Sequence, residues 1–481
     1  RMKKPDFSGF RSRSFRAGGY SLLVCALAVA IAIAVNLLAG ALPESLTKQD
    51  VTKQKLFTLS AQSENLVSSL DEDITVYWVV QAGQEDANIE QLLSQYESRS
   101  TNLKVVVRDP DVYPDFLSQY DVSETYNNSL VVVSAQRYRY LSYYDIYTYD
   151  ASSYYTTGQY TTQFAGEQVL TGAIAYVTSD SLPLIYLTTG HGEATLSTQF
   201  ADAVSKANLE TKTLSLLTVE AIPEDAGALF INAPDTDFTQ EEIDILAAYL
   251  ENGGNLLYIS QPPKKQAPEK LEALLATYGI TSDPGIVLEG NGNYYALSTP
   301  YYLMPDMESH AITNPLIDGN YYCMLPVAQG LTVATDQPEN VSATALLTTS
   351  SRAYSKLAGY QLTTYEKEDG DMEGPFALAA QSTKTLDDGL ESRLVWIGST
   401  GITDDDANAR VSGGNQDLFL NALDWLCDQE QSVTIHAKTL GTNYLTMSDA
   451  TANILSILVL AVIPGTLLAL GIVLNVRRKR R

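Results

Sequence analysis

The chain has 481 residues, of which 45% are hydrophobic and 18% are charged, and its 57 acidic and 31 basic side chains give a formal net charge of −26. At about 100–200 residues per domain, this length allows two or three folded units. The hydrophobic content excludes a disordered chain, and the acidic charge disfavours nucleic-acid binding. Three cysteines and three histidines are too few for a disulfide framework or a multi-ligand zinc module. We therefore expect no metal, no cofactor and no nucleic-acid partner.

Two segments without a charged side chain predict transmembrane helices. They are residues 20–42 and residues 452–476, and each is long enough as a helix to cross a hydrocarbon core of about 30 Å. The first segment could instead be a cleaved signal peptide, but its apolar run is longer than that of an ordinary signal peptide. We expect both segments to be retained in the lipid bilayer.

The basic charges predict the orientation. Residues 1–19 and residues 477–481 each carry a net charge of +5, which leaves −36 for residues 43–451. Short basic flanks remain on the cytoplasmic side of a membrane. The sequence therefore predicts a plasma-membrane protein with two basic cytoplasmic tails and a large acidic extracytoplasmic domain.

Small residues recur at every fourth position in both predicted spans. This spacing allows helices to pack closely in lipid, although alanine and glycine are also common in membrane helices that make no such contact. The candidate packing residues are Ala26, Ala30, Ala34, Ala461, Gly465 and Ala469.

Residues 43–160 predict a membrane-proximal α/β lobe. Thr58 or Ser60 is a candidate N-cap for a first helix, and strands are predicted at Ile74–Val80, Leu103–Val107 and Ser129–Ser134. We expect a thioredoxin-like sandwich of helices and sheet. The chain has no Cys-x-x-Cys motif, so the redox chemistry of that fold is excluded.

Residues 161–430 predict a larger Rossmann-like domain with a mainly parallel sheet. Strands alternate with helices here, and the helix Thr239–Glu251 has Glu242 at the capping-box position. Residues 285–390 are expected to form an irregular insertion, and residues 431–451 a membrane-proximal linker. The predicted fold class is therefore α/β, with two lobes flanked by two transmembrane helices.

A tyrosine-rich segment covers residues 138–160. Tyrosine combines an apolar ring with a polar tip, so an exposed cluster can bind a cell-envelope protein or glycan. The alternative is an edge hairpin in which tyrosine occurs because it favours β-strands. Tyr143, Tyr144 and Tyr147 are the candidate partner surface.

The candidate ligand site is Gly190-His191-Gly192-Glu193, which directly follows the predicted strand "LIYLTTG". Open α/β sheets bind ligands at the carboxyl ends of their strands. His191 and Glu193 are suited to acid/base chemistry or to holding a ligand. The alternative is a tight glycine turn in which His191 only contacts a neighbouring loop.

Other chemical motifs are absent or weak. No Gly-x-x-x-x-Gly-Lys-Ser/Thr motif occurs, so the chain is not a P-loop ATPase. Cys323 and Cys427 form either buried thiols or one disulfide. The acidic run Asp404–Asp406 is expected to be an exposed turn, with calcium binding as the alternative.

Several segments in this order resemble the GldG-like auxiliary, substrate-binding-like subunits of gliding-motility ABC transporters. They are "KLFTLSAQSENLVSSLDEDITVYWVV", "LTGAIAYVTSDSLPLIYLTTGHGE", "IPEDAGALFINAPDTDFTQEEIDILAAYLENGGNLLYI" and "VIPGTLLALGIVLNVRRKRR". The resemblance covers most of the chain, although residues 285–390 contribute little. It implies a membrane-anchored extracytoplasmic protein that works with a permease and a separate ATPase, and it does not identify the cargo.

The predicted function is a noncatalytic, substrate-engaging auxiliary subunit of an ABC transport complex. Two alternatives remain at this stage. One is a membrane-tethered hydrolase that uses His191 and Glu193. The other is a surface protein that binds glycan or cell envelope through the tyrosine cluster.

Overall fold

A computed structural model describes most of the region between the two predicted spans. The described residues are 58–427 without 121, 123, 125, 151–153, 155–157, 180, 265 and 388, then 435, 437–440, 460 and 462–479, and the separate residues 27, 30 and 33. The chain divides into two compact units, Leu59–Thr442 on the one hand and Arg1–Thr58 with Asn443–Arg481 on the other. The second unit contains the helix Ile463–Lys479.

The two transmembrane spans remain predictions. None of the helices among the described residues has both the length and the apolar character required to cross a bilayer. Residues 20–42 lie outside the described residues except for three helical positions, and so do the packing candidates Ala26, Ala34 and Ala461. Ala30, Gly465 and Ala469 are helical, and a Cβ added to Gly465 would meet no described atom within 4 Å.

The first part of the larger unit is built on a four-stranded sheet. Its strand order is β2-β1-β3-β4, with β1 parallel to β2 and antiparallel to β3, and β3 antiparallel to β4. The three strands predicted from their valine-rich runs are confirmed to within one residue. The strands of this region are β1 (Ile74–Val79), β2 (Leu103–Arg108), β3 (Ser129–Val133), β4 (Tyr138–Leu141), β5 (Tyr147–Asp150) and β6 (Thr161–Phe164).

Four helices whose bounds lie in the described part of the chain accompany this small sheet. Ser60 caps the first through a hydrogen bond from the Ser63 amide, which selects one of the two predicted N-caps. A 3₁₀ turn at Leu117–Tyr120 precedes β3. The helices are α1 (Ala61–Ser68), α2 (Ala87–Arg99), α3 (Tyr143–Ile146) and α4 (Gly166–Thr178).

Helix α4 packs against β3 and β4 of the small sheet and against α1 and α2. From the sequence, this segment was expected in the second domain, beyond residue 160. Its apolar face, with Leu170, Ile174 and Val177, is buried. Helical periodicity identifies such a face, but not the sheet that it covers.

Glu167 on α4 fastens three separate segments together. Its Oε1 accepts hydrogen bonds from the Ser60 amide at 2.6 Å and the Ser63 hydroxyl at 2.9 Å, and its Oε2 accepts one from Lys438 Nζ at 2.7 Å. Burial alone would raise the pKa of Glu167, but Lys438 and the two serine donors hold it below its ordinary value. This carboxylate therefore stabilises the folded unit in its charged form.

A ten-stranded sheet is the main element of the rest of the larger unit, beside two small sheets, β12-β18-β19 and β13-β15. Its main order is β11-β16-β20-β21-β10-β9-β7-β8, and β17 pairs with β20 and β14. The strands of this region are β7 (Leu184–Thr188), β8 (Glu210–Leu214), β9 (Ala226–Asn232), β10 (Leu256–Ile259), β11 (Ile280–Ser282), β12 (Ile286–Leu288), β13 (Tyr302–Leu303), β14 (Asp306–Met307), β15 (Leu325–Pro326), β16 (Leu331–Val333), β17 (Val341–Thr348), β18 (Tyr354–Lys356), β19 (Met372–Glu373), β20 (Ala377–Thr385) and β21 (Glu391–Ile397).

Only five of the ten strands of the large sheet pair parallel to one another, so the prediction of a mainly parallel sheet is wrong for the other five. β8, β7, β9, β10 and β21 pair parallel to one another, whereas β20, β16, β11, β17 and β14 join by antiparallel pairs. Five of the ten strands come from residues 285–390 or from just before them. That region is therefore not an irregular insertion, because it completes one side of the sheet. The α/β fold class itself is confirmed.

Helices cover both faces of the large sheet. The side chains of α5 and α10 pack on one face around Phe230 and Phe419, and those of α6 and α7 pack on the other around Tyr258 and Trp396. The capping box predicted for α6 is present, since Thr239 and Glu242 bond each other's backbone amides. The helices are α5 (Thr198–Lys206), α6 (Gln240–Glu251), α7 (Glu269–Leu275), α8 (Asn314–Gly319), α9 (Asp405–Arg410) and α10 (Gly414–Leu426).

The chain returns to the first region after the large sheet. A short strand, β22 (Lys438–Thr439), pairs antiparallel with β6, which itself pairs with β5. Part of the predicted linker 431–451 is thus a strand of a three-stranded sheet, and it carries the lysine that pairs with Glu167. The domain boundaries at residues 160 and 430 stay predictions.

We expect Glu167→Gln to lower the free energy of unfolding of the full chain at pH 7 by about 2 kcal/mol, because it removes the charge from a buried, hydrogen-bonded carboxylate. The folded-state pKa of Glu167 is depressed, so its contribution is present above the unfolded-state pKa and is lost as the pH falls through the folded-state pKa. The difference between wild type and variant should shrink on acidification below about pH 4.5. Urea unfolding followed by circular dichroism at several pH values measures it, and a difference independent of pH would contradict this role.

Candidate functional site

The carboxyl ends of five parallel strands lie along one edge of the large sheet. The chain leaves β7 to form α5 and β8 on one side of β7, and then crosses to form β9 on the other side. The strand order therefore reverses between β7 and β9, and such switch points are where open α/β sheets bind ligands. Gly190–Glu193 follow β7, and Asn232 ends β9, so the predicted site residues lie at this point.

The loop after β7 is held by backbone hydrogen bonds to the loop after β9. The His191 carbonyl accepts from the amides of Asp235 at 2.9 Å and Thr236 at 3.1 Å. Asn232 exchanges two bonds with Ala194, one through its carbonyl and one through its side-chain amide, both at 2.8 Å. The two loops are therefore bonded to each other across the switch point between β7 and β9.

Glycine is required at position 192 by the backbone and by space. Its φ is +77°, in the left-handed region that favours glycine. A Cβ added there would lie 3.0 Å from the Cβ of Asp235, so the side chain of Asp235 occupies the space that another residue would need. This is the tight glycine turn that the sequence allowed as one alternative.

The imidazole of His191 is only 7% exposed and is enclosed by three side chains. It stacks on the Phe238 ring with centroids 4.0 Å apart. Its Nε2 lies 3.2 Å from Glu242 Oε2, and its Nδ1 lies 3.6 Å from Glu193 Oε1. The backbone amide of His191 also donates to Glu193 Oε2 at 2.8 Å.

Glu242 connects this ring to the start of helix α6. The same oxygen that meets His191 accepts from the amide and the hydroxyl of Thr239, both at 2.9 Å. A carboxylate at a helix N-terminus is stabilised by the unpaired amides and by the helix dipole. Glu242 therefore positions His191 while it caps the helix.

Four buried polar atoms of this cluster have no hydrogen-bond partner among the described residues. They are His191 Nδ1, Glu193 Oε1, Asn232 Oδ1 and Glu242 Oε1. Unmatched buried acceptors are costly unless water or a ligand supplies donors. The contacts described for the His191 ring involve Glu193, Glu242 and Phe238, and none of these is a hydroxyl or thiol nucleophile. Within the described part of the chain, no group of His, Cys, Asp and Glu side chains has metal-binding geometry.

The sequence indicates the loop Gly190–Glu193 but not its three partners in the cluster, which are Asn232, Phe238 and Glu242. For Glu242 the sequence indicates only a role as a helix cap. The available signal was the parallel alternation of strands, which brings the ends of β7 and β9 together. His436 lies outside the described residues.

The rings of the three candidate tyrosines lie next to one another, with centroids 5.9 Å apart for Tyr143 and Tyr144 and 4.8 Å apart for Tyr143 and Tyr147, and their role as a partner surface stays a prediction. Tyr144 is 62% exposed, and its ring lies edge to face with that of Tyr143. Tyr147 is turned inward, where its hydroxyl donates to Asp86 Oδ1 at 2.7 Å and accepts from Asn88 Nδ2 at 3.0 Å. Burial and the neighbouring carboxylate raise the pKa of Tyr147. The Tyr147 hydroxyl therefore holds Asp86, the N-cap residue of α2, in place.

A cavity that the sequence did not indicate lies beside the C-terminal end of α10 and the strands β17, β20 and β21. It has a volume of about 400 Å³, and its lining includes His310, Gln381, Arg393 and Trp425. Gln381 is 6% exposed, and its Oε1 has no hydrogen-bond partner among the described residues. Burial lowers the pKa of His310, which favours the neutral imidazole.

The remaining sequence candidates are structural. Cys323 and Cys427 are free thiols and not a disulfide, and burial raises the pKa of Cys323. Asp404 is the N-cap of α9 and accepts from the Ala407 amide at 2.8 Å. Asp405 accepts from the Ser197 hydroxyl. Two members of the acidic run thus bond to the protein itself.

We expect His191→Ala to lower the free energy of unfolding by about 2–4 kcal/mol, because it opens a cavity beside Phe238 and removes a partner of buried Glu242. The matched control is His310→Ala, which removes a half-buried ring and should cost about 1 kcal/mol. Urea unfolding of the full chain measures both. A His191 variant as stable as wild type would refute the structural role of the ring.

Comparison with known proteins gives two family matches. A family of ABC transport auxiliary proteins, described as an ABC-type uncharacterized transport system, matches residues 182–422. A domain of unknown function, DUF7088, matches residues 53–143. No curated protein matches the chain.

Several solved structures align with about half of the chain. The N-terminal domain of mmIFT52 covers 52% of this chain and 99% of its own, with 16% identity and a TM-score of 0.39. A ThuA-like protein from Bacteroides uniformis covers 52% and 94%, with 14% identity and a TM-score of 0.27. The PurLQS structure from Thermotoga maritima covers 51% and 100%, with 8% identity and a TM-score of 0.25. At these TM-scores the alignments do not define a common fold.

The first family match begins two residues before β7 and ends within α10, so it contains the large sheet and the whole His191 cluster. It extends over half of the 481 residues. The chain therefore belongs to the family of ABC transport auxiliary proteins described as an ABC-type uncharacterized transport system.

Proposed function

We propose that this protein is a noncatalytic, membrane-anchored auxiliary subunit of an ABC transport complex, of the GldG-like type. The observation that carries the proposal is the family match over residues 182–422, which contains the strands and helices of the large sheet. The proposed partners are a permease and a separate ATPase. The acidic region between the spans engages the cargo or a cell-envelope partner.

The charge pattern supports a double membrane anchor. Residues 20–42 and 452–476 lack charged side chains, and each is flanked on its outer side by a tail of net charge +5. Such tails stay in the cytoplasm and are attracted to the anionic inner leaflet. In this proposal the region 43–451 lies outside the cell and the two anchors contact the permease.

The absence of a nucleotide motif supports a separate energy source. The full sequence has no P-loop, whose glycine-rich backbone and lysine would be needed to bind the phosphates of ATP. Any conformational work of the chain must then be driven by hydrolysis on a different polypeptide. The anchors are the elements through which that work reaches the extracytoplasmic region.

The geometry of the His191 cluster supports a noncatalytic role. The ring is stacked on Phe238 and its Nε2 faces a carboxylate that already caps α6. A general base needs a nucleophile or a water within hydrogen-bond reach in a site that substrate can enter. At this switch point the backbone of Gly190–Glu193 instead bonds across to the β9 loop. The hydrolase alternative has no comparable support.

The strand orders support the finer fold assignment. The small sheet, with order β4-β3-β1-β2 and β3 antiparallel to its neighbours, is compatible with a thioredoxin-like lobe in which α4 is the last helix. The five parallel strands with α5, α6 and α10 are compatible with a Rossmann-like core. We infer that the two lobes are joined by the return of β22 to β6.

We expect the tagged full chain, solubilised from its native membrane in maltoside detergent, to co-purify with one ATPase and one permease. Gly465→Ile should reduce this recovery, because a branched side chain prevents close helix approach in lipid. Ile472→Leu in the same helix is the matched control and should retain both partners. Quantitative mass spectrometry measures the ratios, and a chain that purifies alone in every detergent would overturn the proposal.

We also expect protease added to intact spheroplasts to degrade the region 43–451, while an epitope placed after Arg481 stays protected. The physical reason is that the basic tails are retained in the cytoplasm. Inverted vesicles should give the opposite pattern and serve as the control. Immunoblotting measures both, and loss of the epitope from intact spheroplasts would contradict the proposed orientation.

A further inference from the structure

A cavity of about 490 Å³ lies at the edge of the small sheet where β1 ends and β3 begins. It is bounded by the loop between β1 and α2, by the chain just before β3, and by the first turn of α3. This place is separate from the large sheet and from the His191 cluster. The lining residues are Gln84, Glu85, Asp86, Tyr126, Asn127, Asn128, Tyr143 and Tyr144.

Three tyrosine rings form a corner in this cavity. The ring of Tyr144 stands at 78° to that of Tyr126, with centroids 5.2 Å apart, and at 80° to that of Tyr143, with centroids 5.9 Å apart. The face of an aromatic ring carries partial negative charge. Tyr144 is 62% exposed, so its ring is open to a cation.

Carboxylates surround the tyrosine corner, and its described lining contains no lysine or arginine. Glu85 is exposed and Asp86 lies beside it. The Tyr126 hydroxyl donates to Glu124 Oε2, and this hydrogen bond raises the pKa of Tyr126. The carboxylates and the ring faces therefore both contribute a negative electrostatic potential to the cavity.

The walls of the cavity are held in place by amide side chains. Asn127 accepts from the Gln81 amide at 2.8 Å and donates to Gln84 Oε1 at 2.9 Å. Asn128 donates to the Gln84 carbonyl and accepts from the Asp86 amide and from Trp78 Nε1. These bonds link the β1–α2 loop to the segment before β3, so the cavity is formed before any ligand arrives.

The side chains around the cavity favour a cation. The carboxylate of Glu85 and the ring of Tyr144 are both exposed to a ligand. A quaternary ammonium group is attracted by a carboxylate and by the face of an aromatic ring, and it needs no hydrogen-bond acceptor.

We propose that this cavity binds a quaternary ammonium group. The Tyr144 ring is the central contact, Tyr126 and Tyr143 are the flanking walls, and Glu85 supplies the charge at the rim. All of these residues belong to the small sheet and its connections, so binding at this cavity does not depend on whether the chain binds a permease.

The experiment is saturation-transfer NMR on the full chain in maltoside detergent, with choline as the probe. Choline should bind, whereas its neutral isostere 3,3-dimethyl-1-butanol, which has the same shape without the charge, should bind about tenfold more weakly or not at all. Added salt should weaken choline binding by screening the carboxylates. Equal binding of the two compounds would overturn the proposal, and so would the absence of choline binding.

Single substitutions then test the assigned residues. Tyr144→Leu should weaken choline binding about tenfold, because it keeps an apolar side chain but removes the ring. Tyr144→Phe should retain it, and Glu85→Gln should weaken it without changing the binding of the isostere. Tyr322→Leu is the matched control, since Tyr322 is 56% exposed and lies outside the cavity lining. Unchanged binding in Tyr144→Leu would refute the assignment of the site.

Four further probes identify the group that carries the positive charge. They are a lysine-rich peptide, the same peptide acetylated on its lysines, and mixed micelles that contain phosphatidylcholine or phosphatidylglycerol. Competition with choline by phosphatidylcholine but not by phosphatidylglycerol supports a quaternary ammonium headgroup, whereas competition by the free peptide alone would overturn the quaternary ammonium in favour of a lysine side chain. Competition by the acetylated peptide as strongly as by the free one would overturn the proposal.

Discussion

The parallel pairing of β7 with β9 is the constraint on which the large sheet's candidate site depends. Residues Ile185–Leu187 lie beside Ala228–Phe230 in register, so the two strands end at the same edge. The loops that follow must then cross the same small space. The two loops are hydrogen-bonded to each other through the His191 carbonyl and the Asn232 side-chain amide. The ring of His191 lies against the start of α6. A helix cap, a strand end and a buried histidine thus become one cluster.

Much of the fold could be predicted where the information is local. Runs of valine and isoleucine located β1, β2 and β3, and the capping pattern located α6, because these signals depend on neighbouring residues. Strands β17 and β20 were not identified, since "VSATALLT" and "ALAAQSTKT" consist largely of alanine, serine and threonine. Their pairing is fixed by burial within the sheet, where Ser382 is fully enclosed. That burial depends on distant segments, which the small residues of these two strands do not identify.

The candidate site was predictable to the same extent. The glycine-histidine loop could be located because it follows a strand, but its partner Glu242 lies 51 residues further along the chain. The tyrosine segment shows the same limit. Composition groups Tyr143, Tyr144 and Tyr147 together, whereas the folded chain turns Tyr147 toward Asp86 and brings Tyr126 against Tyr144. The sequence identifies a group of neighbouring tyrosines, whereas the tertiary contacts determine which other side chains each ring meets.

The carboxylates of the acidic region fall into two physically different groups. Glu167 and Glu242 are buried, and the fold provides partners for each: a lysine and two serines for the former, and the Thr239 amide and hydroxyl with the His191 ring for one oxygen of the latter. Glu85 instead remains exposed at the rim of a cavity whose amides are already bonded to one another. Buried carboxylates with local partners stabilise the fold and add little to the external field, because their charge is compensated within a few ångströms. The field that a partner meets is therefore set by the exposed carboxylates, and where these adjoin aromatic faces the net acidity of the chain becomes a specific attraction for cations.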